Sequence, residues 1–247
     1  MADWNEPRPT TRNPFGSATI NGDVIGAATR DDGLRRYMLS IYNYMASGVL
    51  LSGAVALLFA NSSLAIPVLT SPLRWLIMLA PLGFVLAMSF GLNRMQTGTL
   101  KVLFWSFCVA MGLSMSAIFL VYTGTSIALT FFSTAGAFAG LSLYGYTTKR
   151  NLSAMGAFMT MGLIGIILAM LLNMFLQSSG LALAISVLGV LIFAGLTAWD
   201  TQRLRDTYFQ VQGTALVEKV VIMGALSLYL DFINLFQFLL SFLGDRR

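Results

Sequence analysis

Histidine is missing from this 247-residue chain, cysteine occurs once, and only 10% of the residues are charged. Without histidine there is no Ser-His triad, no imidazole metal site and no imidazole pH switch, so carboxylates are the side chains left to titrate near neutral pH. The lone Cys108, set in an apolar run, excludes an intramolecular disulfide and a thiolate metal cluster. A soluble domain carries roughly 25% charged residues. This chain is 57% hydrophobic with a mean hydropathy of +0.77, and it cannot cover itself with a polar surface. No part of it reads as an independent soluble domain, and no cofactor is implied.

What is present is a series of long apolar runs. Each is near the roughly 20 residues that a bilayer-spanning helix needs. Residues 1–36 are polar and read as a disordered tail ending at Arg35-Arg36. The first apolar stretch starts too late and runs too long for a cleavable signal peptide. Seven spans follow, at about 37–60, 75–93, 102–122, 126–146, 152–176, 181–200 and 220–243. The expectation is an all-α integral membrane protein, a seven-helix transmembrane domain over 37–243 with a short C-terminal tail at 244–247. Pro81 falls inside the second span, which neighbouring helices can accommodate. Gly136, Gly140, Gly162 and Gly165 suit close helix contact.

The formal charge of +5 and pI near 9.6 raise the question of a nucleic-acid partner. Position answers it. With the N-terminus inside, Arg8, Arg12, Arg30, Arg35, Arg36, Arg94, Lys101, Lys149, Arg150, Arg203, Arg205 and Lys219 fall on the cytoplasmic side, against Arg74, Arg246 and Arg247 outside. The positive-inside rule accounts for that asymmetry with the bilayer as partner and no nucleic acid.

Acidic residues are rarer still, and none occurs between Asp32 and Asp200. Asp231 then stands near the middle of the seventh span, where a carboxylate costs roughly 2.5 to 3.5 kcal/mol on insertion scales unless it faces a protected interior. At about 100° per residue, Ser227, Asp231, Asn234, Gln237 and Ser241 form one stripe roughly 120° wide. Lipid does not tolerate such a stripe, so the last helix is expected at the centre of the bundle with the other six around it. Ser227, Asn234, Gln237 and Ser241 read either as pore-lining groups or as hydrogen bonds between helices. Asp200 closes the sixth apolar run and reads as an interfacial anchor or as a partner for Asp231. The partnership requires the sixth helix to tilt or to continue past Asp200 through Leu204.

Three segments carry a family resemblance: Gly140-Leu-Ser-Leu-Tyr-Gly-Tyr-Thr-Thr-Lys-Arg150, Gly195-Leu-Thr-Ala-Trp-Asp-Thr-Gln-Arg203 and Gly224-Ala-Leu-Ser-Leu-Tyr-Leu-Asp-Phe-Ile-Asn-Leu-Phe236. They closely resemble the bacterial branch of the Bax inhibitor-1 family, and the likeness extends over the membrane region. The resemblance implies a seven-helix fold with a central last helix in the bacterial inner membrane. It also implies that Asp200 and Asp231 form a two-aspartate pH sensor associated with a proton-sensitive calcium leak. By the same likeness Arg94 is the candidate arginine partner of the gate, alongside its plain reading as a positive-inside anchor.

Two carboxyls in hydrogen-bonding range share a proton and titrate as a unit. Losing that proton leaves two anions, whose repulsion is relieved by separating the helices or admitting a hard cation such as calcium. Two carboxylates make a poor high-affinity cage, which favours transient binding at Asp200 and Asp231 and a slow leak. Two other readings remain. An intramembrane aspartic protease also needs paired aspartates, but the sequence reads Ala-Trp-Asp200 and Tyr-Leu-Asp231 where presenilin-like proteases carry Tyr-Asp and Gly-x-Gly-Asp, and no Pro-Ala-Leu follows. A non-enzymatic regulator of a membrane protease or stress response would instead use the basic loops and tail, with the aspartates purely structural.

Overall fold

In lipid every backbone polar group needs an internal partner, and the long apolar runs satisfy theirs as helices. A computed structural model of the chain describes residues 18–92 and 94–246, with side chains from Asp31 onward. Among the described residues nine helices follow in order: α1 (Ala18–Ala60), α2 (Ala65–Thr70), α3 (Leu73–Gly91), α4 (Thr97–Met115), α5 (Ala117–Val121), α6 (Gly124–Thr147), α7 (Ser153–Leu176), α8 (Ser179–Val211) and α9 (Val217–Leu243). Seven segments are long and apolar enough to cross a membrane, with α4 and α5 together forming the third. The two are separated at Ser116, whose hydroxyl donates to the Leu113 carbonyl at 2.7 Å.

Residues 1–17 of the expected tail, Asn93 and Arg247 lie outside the described residues. Residues 18–36 differ from the expected irregular tail, because α1 runs through them without a break and its membrane-spanning part begins at Asp31. Once a span is helical, adding residues to its end requires no new nucleation. At the other terminus the tail is tied down. Asp245 donates its N–H to Ser126 Oγ at 3.0 Å and accepts from Thr123 N at 3.1 Å.

The last helix is central. Ile222, Ala225, Leu228 and Tyr229 of α9 have no exposed surface. Its direct neighbours are α1, α4, α6 and α8, while α3 packs on α4 and α7 on α8 in an outer position. The expectation of six surrounding helices is therefore corrected to four. The outer pair are apolar almost all round. Only Pro81 and Met88 of α3, and Gly156 and Ile166 of α7, are fully buried. Phe84 and Val85 of α3 and Met159 and Leu163 of α7 are partly buried against the core, and most of the remaining surface faces lipid.

Helix association in lipid has no hydrophobic driving force and rests on close packing and interhelical hydrogen bonds. Both occur around α9. Phe107 of α4 meets the Tyr229 ring edge-on at 5.1 Å. Ser52 of α1 lies 2.6 Å from the Tyr229 hydroxyl and donates to the Cys108 carbonyl at 2.7 Å, joining α1, α4 and α9. Replacing Tyr229 with Phe removes one partner of this junction at a fully buried position. The expected loss in thermal unfolding in detergent is about 0.6 to 1.7 kcal/mol, and an unchanged melting point would show that the contact contributes nothing.

Close approach falls at glycines other than most of those expected. A Cβ on Gly145 would collide with the Ala198 backbone, and one on Gly189 would lie 2.5 Å from the Phe238 ring. Gly162 does face Ile192, but Gly136, Gly140 and Gly165 border open space. Those three lie on faces left to lipid.

Candidate functional site

The buried face of α8 repeats at helical spacing through Phe193, Leu196, Thr197, Asp200, Thr201, Leu204 and Tyr208. The helix thus continues well beyond Asp200, with Leu204 and Tyr208 burying the next two turns. A short connection then leads into α9, which runs back antiparallel along α8. Asp200 and Asp231 lie at comparable distances from this connection. The offset suggested by ending the sixth span at Asp200 disappears because the helix extends to Val211.

The two carboxyls are close enough to influence each other across the α8–α9 interface, and Ser227, one turn before Asp231, adjoins Asp200. Asp200 is 7% exposed and Asp231 5%. An isolated charge so placed is expensive, and a partner offsets the cost only through close geometry. Asp200 has such a partner in Arg203, whose Nη2 stands 3.0 Å from Asp200 Oδ1. The same nitrogen donates to Ser227 Oγ at 3.3 Å, and the guanidinium lies over the Trp199 ring, 4.8 Å from its centroid. Asp200 Oδ1 and Asp231 Oδ2 are both buried with no hydrogen-bond partner among the described residues, so the Arg203 contact is an ion pair without hydrogen-bond alignment.

Arg203 is the residue that the sequence reading missed as a site member, having assigned it to the positive-inside charge. A signal was available, since Asp200 and Arg203 stand three residues apart on one helix and such positions are neighbours. Arg94, the candidate gate partner, lies exposed in the turn after α3 and makes no ion pair among the described residues. Among the described residues the guanidinium beside Asp200 is that of Arg203, from α8 itself.

The rest of the α9 stripe separates into different environments. Asn234 donates to the Leu230 carbonyl of its own helix at 2.8 Å, Gln237 is half-buried, and Ser241 accepts from Ser186 of α8 at 3.1 Å. Beside these polar groups Phe193 and Phe238 stack at 5.7 Å, so aromatic rings interrupt the polar seam between α8 and α9. Among the described residues no three His, Cys, Asp or Glu side chains converge as a metal site. The oxygens of Asp200, Asp231 and Ser227 are hard ligands, too few to form a closed calcium cage.

The same stretch of α8 also holds the α6–α7 connection. Gln202 donates to the Arg150 carbonyl and accepts from Leu152 N–H, each at 2.8 Å, while Arg205 donates to the Tyr146 carbonyl at 2.7 Å. Thr201 donates to Ser142 Oγ of α6 at 3.4 Å.

These features define a multi-pass α-helical membrane protein with a buried carboxylate pair at the interface of its last two helices. A protein-family model described as Inhibitor of apoptosis-promoting Bax1 matches residues 34–247, and the chain belongs to this Bax inhibitor-1 family. Its relatives include an uncharacterized protein of Rickettsia prowazekii, 47% identical over 89% of this chain and 93% of the relative. A protein of Caulobacter vibrioides is 46% identical over 88% of this chain and 91% of its own length. The Escherichia coli relative, inner membrane protein YbhL, is 45% identical over 87% of this chain and 94% of its own. Neither the family description nor these names carries an enzyme activity. The seven apolar helices and these relatives make the chain a multi-pass inner-membrane protein.

Proposed function

We propose that the protein is a pH-sensitive leak pathway for calcium and similar hard cations across the inner membrane, gated by the Asp200–Asp231 pair. The carrying observation is two buried, mutually interacting carboxyls on packed helices, with a single guanidinium 3.0 Å from one of them. One proton shared by the pair, together with Arg203, makes the site electrically neutral and holds α8 against α9. Removing that proton leaves an uncompensated anion. Adding a second leaves the guanidinium without its carboxylate. Either change weakens the contact between α8 and α9, and the anionic form also offers oxygens to an entering cation. The Ser52–Tyr229 junction holds α9 to α1 and α4, which makes α8 the moving partner. A cavity of about 430 Å³ near the α8–α9 connection, with Arg36, Lys101 and Glu218 in its lining, reaches Tyr208, about 12 Å along α8 from Asp200. The basic-residue distribution supports a cytoplasmic N-terminus, which would make this the inner end of the bundle.

The test is calcium flux into proteoliposomes containing only this protein, across about pH 5 to 8, with Asp200→Asn/Asp231→Asn alongside. A gate controlled by one proton changes flux by at most about tenfold per pH unit. Wild type is expected to show a minimum where the pair holds one proton, and the folded double variant a flat profile. Equal pH dependence in both would remove the pair from the gate. A second reading, a membrane regulator or adaptor acting on a membrane protease, draws on Gln202 and Arg205, which link the carboxylate helix to the basic loop at Lys149 and Arg150. Absence of flux from folded protein at every pH would favour it. An intramembrane aspartic protease is disfavoured, since Arg203 engages a carboxylate that would have to exchange protons with water.

A further inference from the structure

α1 and α6 stay apart along most of their length, and the gap between them is a groove of about 1010 Å³. Its floor is Phe232 of α9, the residue after Asp231, flanked by Phe138 and Phe131 of α6, whose rings meet Phe232 edge-on at 5.5 and 5.6 Å. The rims, Leu39 and Leu50 of α1 and Leu143 of α6, are 49%, 67% and 63% exposed, so the groove opens sideways into the surrounding bilayer. Charge occurs at one end only, as Asp31, Asp32 and Arg35. From Arg35 to Leu50 the helix rises about 22 Å. That exceeds one leaflet's half of the roughly 30 Å hydrocarbon core.

We infer that this groove binds one phospholipid, with its headgroup among Asp31, Asp32 and Arg35 and an acyl chain lying on Phe138 and Phe232. The length and the single charged end match a lipid of one leaflet. A helix crossing the whole membrane would place no such demand on one end. The charge pattern selects the headgroup: two carboxylates attract an ammonium and repel a net anion, while Arg35 receives the phosphate. The class is therefore a zwitterionic phospholipid with a primary ammonium, of the phosphatidylethanolamine type. The inference does not depend on the flux reading, since a regulator with the same groove would bind the same lipid.

Delipidated full-length protein would be mixed in detergent with equimolar phosphatidylethanolamine and phosphatidylglycerol and examined by native mass spectrometry. Wild type is expected to retain one phosphatidylethanolamine in preference to phosphatidylglycerol by about fivefold or more for each interfacial charge that discriminates. Asp31→Asn/Asp32→Asn, at exposed positions outside the core, should bring the two lipids to parity. Ala139→Trp, which fills the groove from an exposed position on α6, should abolish retention while leaving helicity and monodispersity unchanged. Equal retention of both lipids by wild type, or undiminished retention by folded Ala139→Trp, would overturn the assignment. So would a dimer that Ala139→Trp dissociates, because the groove would then belong to a second copy of this chain.

Discussion

Gly145→Val is expected to destabilise the bundle by about 3 kcal/mol or more, the upper part of the range for overpacking. α6 and α8 cross here so closely that a Cβ at residue 145 meets the Ala198 carbonyl oxygen, with the carbonyl carbon and Cα only 2.9 and 3.0 Å away. These are backbone atoms, so no rotamer change relieves the contact and the helices themselves must separate. Separation would also draw Ser142 from Thr201, beside Asp200. Gly145→Ala should therefore show most of the loss. Gly136→Val is the control, because its Cβ enters open space on the same helix. It should stay within about 0.5 kcal/mol of wild type. Thermal unfolding in one detergent, read by circular dichroism and size-exclusion recovery, compares the three. A Gly145→Val melting point equal to that of Gly136→Val would mean that the α6–α8 crossing is not held at this distance.

That contrast also marks how far the fold was legible in the sequence. Spans, their number and the central position of α9 follow from bilayer physics applied to apolar runs and to one intramembrane carboxylate. Which glycine lies in a contact depends on azimuth and on the neighbour's identity. Gly140 and Gly145 lie about 140° apart around α6 at 100° per residue, so one faces α8 while the other faces lipid. A signal was present in α6 and was not used: Ser126, Thr130, Thr134 and Ser142 recur at helical spacing on the buried face that also carries Gly145. The candidate site divides the same way. Asp231 was readable from its depth and its polar stripe, whereas the apolar pattern through Leu204 left Asp200 open between anchor and partner, and only the family resemblance joined it to Asp231. Arg203 was obscured because the positive-inside rule explained its charge, although three-residue spacing placed it beside Asp200. A charge at a helix end can serve as anchor and as site partner together, and its position relative to the nearest carboxylate distinguishes the two.

Arg203→Leu tests that distinction. The substitution leaves Asp200 Oδ1 without its cation while the carboxyl stays buried. Breaking a fully buried pair costs about 3 to 5 kcal/mol, but the Arg203 side chain is 46% exposed and solvent screens part of the interaction. The expected loss is about 1 to 3 kcal/mol. It should depend on pH in one direction. A protonated Asp200 has no need of a cation, so variant and wild type should converge in acid and diverge as pH rises through the titration of the pair. Adding Asp200→Asn to Arg203→Leu removes the buried anion and should recover much of the loss at high pH, giving a positive coupling in the double-mutant cycle. Arg203→Lys retains the charge but not the planar stack on Trp199 that holds Nη2 between Asp200 and Ser227, and should fall between the two. Arg94→Leu, at an exposed turn, should stay within about 0.5 kcal/mol of wild type at every pH. Unfolding curves collected in detergent across the same pH series decide the assignment. If Arg94→Leu produced the pH-dependent loss and Arg203→Leu did not, the arginine coupled to the carboxyl pair would be the one in the α3–α4 turn, and the Arg203–Asp200 contact would be an incidental surface pair.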